Sequence, residues 1–385
     1  MTGKINNILI MANYSNRTGF AWNNIYRLFQ YLAANFREMN ITPYISFPDI
    51  QQPVEEPYFK DFEEFLRLQP KPTSLAELKK LRSAIKKHKI DAIYLTDHNH
   101  YSALYLLYRL WGVKKIIVHN RISVASPDDP PREFSVKAAI KFFLARIPFI
   151  SCDRTYAVSD FVKRRLVNKA KVRSDEVKVI LNGIDTNLFK PSSPKDSEIT
   201  RIYTGGRASK YKGFQYLFEA ASILVNKRNI KDFVIDYAGD GPDIEYLRAL
   251  VNDANIATQI NFLGETKGTS ELQKRADIIV VPSAWGDACP SAVSEALASG
   301  KPLVATIAGG IPEMVGSPNN AVLIPHSNSE AIADALQQLL SDSALVQRLS
   351  SAARQRAIEA LDIKRYHQDV FNAMLEDLQL VKQDY

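Results

Sequence analysis

Cysteine is nearly absent from this chain, and the two that occur, Cys152 and Cys289, stand far apart with no metal-ligand spacing around either. That excludes a disulfide scaffold or a zinc site and suits a reducing compartment. Long apolar runs are missing too. No stretch of about 18 uncharged apolar residues occurs, and the first apolar stretch, ILIMA, is too short for a signal peptide, so the expectation is a protein kept in the cytoplasm. There is no internal repeat, no low-complexity tract, no Walker phosphate loop and no GxGxxG after a first strand, which argues against a nicotinamide dehydrogenase.

What is present is alternation. At 385 residues the chain suits two domains. Short β-branched runs, INNILIM, DAIYLT, KKIIVHN and RTYAVS, alternate with helical patterns in the first half. After PSSPKDSE (191–198) the alternation restarts with ITRIYTGG, DFVIDYAGD, INFLGE, ADIIVVPS, KPLVAT and NAVLIP. This predicts an α/β protein of two doubly wound parallel-sheet domains, 1–190 and 199–363, with a site in the cleft between them. A last helix, about 364–385, follows another helix without a strand and is free to cross back onto the first domain. The stretch 47–72 breaks the alternation and reads as an excursion specific to this protein. Charge is uneven: residues 1–190 hold 30 Lys+Arg against 18 Asp+Glu, and residues 191–385 hold 19 against 24. The first domain therefore faces something anionic, or carries a solvated Lys-rich surface.

Two loops carry chemistry. In ITRIYTGGRASKYKGFQYLFEAA a strand runs into the Gly205-Gly206 turn, then Arg207 and Lys212, then a helix from about Gly213. Two cations beside a helix N-terminus suit a diphosphate; taken alone, the pattern is also an ordinary turn with solvated cations. In ADIIVVPSAWGDACPSAVSEALASG a buried strand leads to Asp287, Ala288 and Cys289, and Pro290 opens a helix whose free amides belong to Ser291 and Ala292. Asp287 and Glu295 bracket those amides. A sugar nucleotide, with hydroxyls at both ends and phosphates between, fits that layout; by spacing alone Asp287 reads equally as a helix cap and Glu295 as a solvated helix position.

The stretches VILNGIDTNLFKP, GGRASKYKGFQYLFEAA, YAGDGPDIEYLRAL, INFLGE and VPSAWGDACPSAVSEALASGKPLVATIAGGIPEMV together resemble the nucleotide-sugar domain of glycosyltransferase family 4, whose GT-B fold pairs two Rossmann-like domains. KKIIVHNR and TYAVSDFVKRRL resemble its acceptor domain. The resemblance implies that Arg207 and Lys212 hold the donor diphosphate and stabilise it as it leaves. It implies that Glu295 takes the ribose hydroxyls, Asp287 the hydroxyls of the transferred sugar, and that Gly206, Gly239 and Gly264 admit the nucleotide by close backbone approach. His119 matches a histidine beside the transferred sugar, and Gly19 an acceptor-side glycine. Two departures stand out: Asp287 replaces the usual glutamate, and Gly19 is single where relatives often have a pair.

The resemblance further implies retaining chemistry without an obligatory metal or other cofactor; the acids lack the clustered carboxylates of a magnesium-diphosphate site. The donor is a nucleotide-sugar, a UDP-sugar first and GDP-mannose next, carrying a hexose. The acceptor is a glycan or lipid-linked group in cell-envelope polysaccharide or glycolipid synthesis. SLAELKKLRSAIKKHK and FSVKAAIKFFLARIPFI interleave lysines with apolar residues, as peripheral contact with an anionic membrane requires; ordinary half-buried helices read the same way. No nucleic-acid motif accompanies the charge. The competing readings are a sugar-nucleotide epimerase of GT-B shape and a non-catalytic nucleotide-sugar-binding paralogue.

Overall fold

The β-branched runs become the strands of two parallel sheets in the computed structural model, which describes residues 4–15, 21–49, 59–121, 140, 143, 147–192, 199–266 and 268–380. The first sheet contains β1 (Asn7–Met11), β2 (Thr42–Phe47), β3 (Phe65–Arg67), β4 (Ala92–Thr96), β5 (Lys115–Asn120), β6 (Arg154–Ala157) and β7 (Val177–Val179), in the order β3-β2-β1-β4-β5-β6-β7. The second contains β8 (Thr200–Gly205), β9 (Phe233–Ala238), β10 (Ile260–Gly264), β11 (Ile278–Val281), β12 (Leu303–Thr306) and β13 (Val322–Ile324), in the order β10-β9-β8-β11-β12-β13. Parallel sheets need cover on both faces, and β4 and β11 are accordingly buried at every residue. Each sheet winds outward from a central strand and then reverses, between β1 and β4 in the first and between β8 and β11 in the second. Ligands of such sheets sit outside the carboxyl ends of the strands at that reversal.

Each sheet anchors its own compact unit. The first takes the described residues up to Leu181 together with those from Lys364 onward, which hold all but the first residue of the helix Ile363–Asp377, and the second runs from Asn182 to Ile363. Residues 182–192 thus join the second unit, ahead of the expected boundary at 190. Backbone hydrogen bonds tie Ile184 to Leu361 and Ile363, and the Arg354 guanidinium donates to the carbonyls of Thr186 and Phe189. The rest of the expected linker, 193–198, lies outside the described residues.

Within the first unit, alternate residues of β1 feed opposite cores: Ile8 and Ile10 pack with Phe29, Phe36 and Tyr94, while Leu9 and Met11 pack with Leu81, Ile93 and Tyr105. The helix Ile363–Asp377 belongs to the former core through Val370, Phe371 and Met374, and Asp377 accepts from Arg154 Nε at 2.9 Å and Tyr156 Oη at 2.8 Å. In the second unit Leu217, Phe218 and Ala221 pack against Ile202, Ile235 and Val280.

The stretch 47–72 is only partly an excursion. Phe65–Arg67 adds β3 beside β2, with Phe65 stacked on Phe47 at 5.3 Å and Leu66 buried; residues 50–58 lie outside the described residues. No helix among the described residues is long and apolar enough to cross a membrane.

Candidate functional site

The reversal between β8 and β11 brings the two chemistry-bearing loops together. The loop after β8 makes a single turn over Lys210–Lys212 and passes through Gly213 into the helix Phe214–Ser222. Gly213 has φ +74, and a Cβ there would fall 1.9 Å from the Pro282 carbonyl oxygen, so only glycine lets this loop lie against the one after β11. The Ala284 amide donates to the Tyr211 carbonyl at 2.9 Å, and the Tyr211 and Trp285 rings stack at 6.0 Å. The outcome is that Lys212 Nζ stands 2.5 Å from Asp287 Oδ2, an ion pair whose side chains are 22% and 17% exposed. Asp287 Oδ1 remains to accept from a ligand.

Asp287 is fixed from behind by the loop after β12. The Gly310 amide donates to the Asp287 carbonyl at 2.8 Å, and Gly309 lies so close that a Cβ would meet that oxygen at 2.1 Å. Neither glycine stands out in the sequence beyond its place in the long matching stretch. Arg207 is exposed, and its guanidinium has no hydrogen-bond or ion-pair partner among the described residues, which leaves it available to an anion.

The helix Ser291–Ala298 starts one residue later than expected, with Pro290 as its N-cap at φ −67 and ψ 125. The amides of Ser291 and Ala292 precede the first intrahelical acceptor, so they and the positive end of the helix face outward. Ala288 is buried, and burial pushes the Cys289 thiol up to about 12, so it is no reactive thiolate. Glu295 is not a solvated helix position: it is 7% exposed and accepts from Gln273 Nε2 at 2.7 Å. Burial holds its carboxyl above the ordinary range, opposed by hydrogen bonds from Ser291 and Gln273. Gln273, on the helix Thr269–Arg275, escaped sequence reasoning because nothing in SELQKRA marks it.

At the ends of β8, β9 and β10 the glycine backbones continue the ladder, Gly206 donating to Ala238 and Gly239 to Gly264, each at 2.9 Å. Second-unit residues Gly206, Arg207, Lys212, Gly239, Gly264, Asp287 and Ser291 therefore all sit at the carboxyl edge of one sheet. The arrangement offers two cations, two helix N-termini, acceptor carboxylates and close-approach backbone, a set complementary to a phosphate group flanked by hydroxyls.

His119 belongs to the first unit. It is the penultimate residue of β5, is fully buried, and its Nδ1 lies 2.5 Å from Tyr94 Oη. Burial, helped by the positive charge of Arg121, holds its pKa well below the ordinary value, so the ring is neutral. Gly19 lies outside the described residues. His98 and His100 lie in the loop after β4 and are buried; His100 Nδ1 meets Thr155 Oγ1 at 2.9 Å and its Nε2 lies 3.3 Å from Glu176. No group of three or more His, Cys, Asp or Glu among the described residues is placed to hold a metal.

Two parallel doubly wound sheets, the second with cations and helix N-termini gathered at its reversal, define an α/β protein of paired Rossmann-like units, and comparison with known proteins shows the family. The family model described as glycosyl transferases group 1 matches residues 185–356, and that described as glycosyltransferase family 4 matches residues 26–188. The chain belongs to this glycosyltransferase family, the two models covering it from 26 to 356. It is 30% identical over 206 residues to an uncharacterized glycosyltransferase of Methanocaldococcus jannaschii, which covers 50% of this chain and 52% of that protein. The chain spans about half the length of the first curated relatives it matches. Among solved structures, a glycosyltransferase from Rickettsia africae superposes with a TM-score of 0.78 at 18% identity, over 99% of this chain and all of that one. Anabaena HepE in complex with UDP gives 0.76 at 20% identity, over 96% and 100%. Both show the fold, which is GT-B.

Proposed function

We propose that this chain is a retaining hexosyltransferase that takes a hexose from a nucleotide-sugar, a UDP-sugar first and GDP-mannose next, and passes it to a glycan or lipid-linked acceptor in cell-envelope polysaccharide or glycolipid synthesis. The observation that carries this reading is the Lys212–Asp287 pair at the β8–β11 reversal, with Arg207 free beside it and Glu295 buried behind the same helix N-terminus. Arg207 and Lys212 neutralise the diphosphate as the anomeric C–O bond breaks, so the reading needs no metal. Asp287 Oδ1 and Glu295 accept hydroxyls of the sugar and ribose. The UDP bound by HepE fits the preferred donor.

The acceptor oxygen bonds to the anomeric carbon on the face that the phosphate leaves, and the acceptor's proton passes to the departing phosphate oxygen. In support, the one histidine of the second unit, His326, is exposed and 3.4 Å from Ser327, not beside a carboxylate as a base for inversion requires. Exposed Phe143 and Phe149, on the basic first unit, support peripheral contact with an anionic membrane; 134–139, most of 141–146 and thus much of the FSVKAAIKFFLARIPFI stretch lie outside the described residues. Flotation with anionic but not neutral vesicles is expected, and equal flotation with both contradicts this part.

The test is incubation with UDP-, GDP-, ADP- and dTDP-sugars without acceptor, following melting temperature and nucleotide release. One donor should stabilise the protein and be slowly hydrolysed, and Lys212→Ala should lose both effects. Conversion of the donor sugar without release identifies an epimerase, and stabilisation without any turnover a binding paralogue. No effect of any donor overturns the reading.

A further inference from the structure

The reversal of the first sheet, between β1 and β4, holds a second polar cluster. Tyr14 lies beyond β1, Asp97 follows β4, His119 is the penultimate residue of β5 and Arg121 follows its end. Asp97 is engaged within the cluster: Oδ1 accepts the Arg121 amide at 2.6 Å and Oδ2 accepts the Tyr14 hydroxyl. His119 and Arg121 share a neighbour: His119 meets Tyr94 and lies near Tyr366, which Arg121 also contacts. Tyr366 Oη accepts from Arg121 Nη2 at 2.9 Å, and its ring lies 6.4 Å from that of His119.

The direction of the Tyr94–His119 bond fixes the imidazole tautomer. Tyr94 is fully buried, with His119 Nδ1 as its one hydroxyl partner among the described residues, so a proton on Nδ1 would orphan the phenol proton. The phenol therefore donates to Nδ1 and the imidazole proton sits on Nε2, a buried donor with no partner among the described residues. Arg121 contributes two more buried, unpartnered donors, Nε and Nη1. All three unmet groups are donors and two of them belong to the charged Arg121 guanidinium, which is the complement of an anionic oxygen. Desolvating such donors without an acceptor is unfavourable, so the cluster is built to be completed.

We infer that His119 and Arg121 bind a carboxylate or phosphate group carried by the acceptor, which makes the acceptor an acidic glycan or phosphoglycan. The inference rests on the transfer reading above; the donor diphosphate has its own cations, Arg207 and Lys212, in the second unit. The net positive charge of the first half of the chain favours the approach of such an acceptor.

The test titrates the full chain, saturated with UDP, with glucuronate, glucose 6-phosphate and uncharged glucose, reading melting temperature and affinity. One or both charged sugars should bind and glucose should not, the two arms separating a carboxylate site from a phosphate site. Arg121→Gln should weaken that binding by about 10- to 100-fold, and Arg121→Lys should restore part of it. Equal binding of glucose, no effect of Arg121→Gln, or loss of the anion response in Lys212→Ala titrated without UDP overturns the inference. Should Arg121→Gln fail to fold, the ¹⁵N signal of His119 Nε2 in the unmodified chain serves instead: it should move on titration with the charged sugar, and a stationary signal overturns the inference. Failure of the transfer reading shows separately, as absence of any UDP response.

Discussion

Replacing Gly309 by alanine should disable the donor site without touching any group that contacts the donor. Gly309 has φ +59, and a Cβ there falls 2.1 Å from the Asp287 carbonyl oxygen and 2.6 Å from its amide nitrogen. Non-bonded atoms settle at about 3.5–4.0 Å, so the two loops must part by roughly 1 Å or more. The left-handed backbone disfavours alanine by about 1–2 kcal/mol and the overpacking adds about 1–3 kcal/mol. For a unit of this size that lowers the melting temperature by roughly 5–15 °C. Because Asp287 moves with the loop, its 2.5 Å contact with Lys212 is lost, and a displacement of about 1 Å lowers donor turnover by roughly 100-fold. Melting curves and nucleotide release from the preferred donor read the two effects. Turnover within about threefold of the unmodified chain, in a protein that has lost stability as stated, would refute the claim that this loop holds Asp287 in its working position.

Glu295→Gln should raise stability above the pKa range of an ordinary carboxyl, since it removes a buried carboxylate whose raised pKa makes the folded state less favourable as pH rises from the unfolded value, and should weaken donor affinity roughly tenfold; equal affinity would exclude Glu295 from the ribose. Arg354→Ala removes a guanidinium whose Nη1 donates to the carbonyls of Thr186, Phe189 and Ala298 at 3.0, 3.0 and 2.6 Å, and should lower second-unit stability by about 1.5–3 kcal/mol in denaturant titration, against no change if the contacts are incidental. His98 and His100 are both held down to about 4 by burial, so the unfolded chain binds more protons below its own value near 6.5; stability should fall as pH drops from about 6.5 through 4, and His100→Gln should flatten that slope in melting curves against pH.

The second unit was largely legible because each of its strands carries a short apolar run set off from the helical patterns around it: all six correspond to the runs that restart after PSSPKDSE. The first sheet was less so. β3 and β7 have three residues each, FLR and VKV, too short to show a period, and β2 begins with Thr42-Pro43, which reads as a break. The residue types of the candidate site were visible in its loops, but not their geometry. Lys212 and Asp287 are 75 positions apart and meet only because β8 and β11 are neighbours at the reversal. The burial of Glu295 depends on Gln273 from another helix, and the tautomer of His119 on Tyr94 from another strand.

The most direct test of the donor site is calorimetric titration of the unmodified chain and of Lys212→Ala with UDP-glucose, followed by the GDP-, ADP- and dTDP-sugars. One donor should bind saturably to the unmodified chain and about 10- to 100-fold more weakly to Lys212→Ala, the loss of a charge-assisted contact to phosphate. Undiminished binding by Lys212→Ala, or no binding of any nucleotide-sugar, would contradict the donor site.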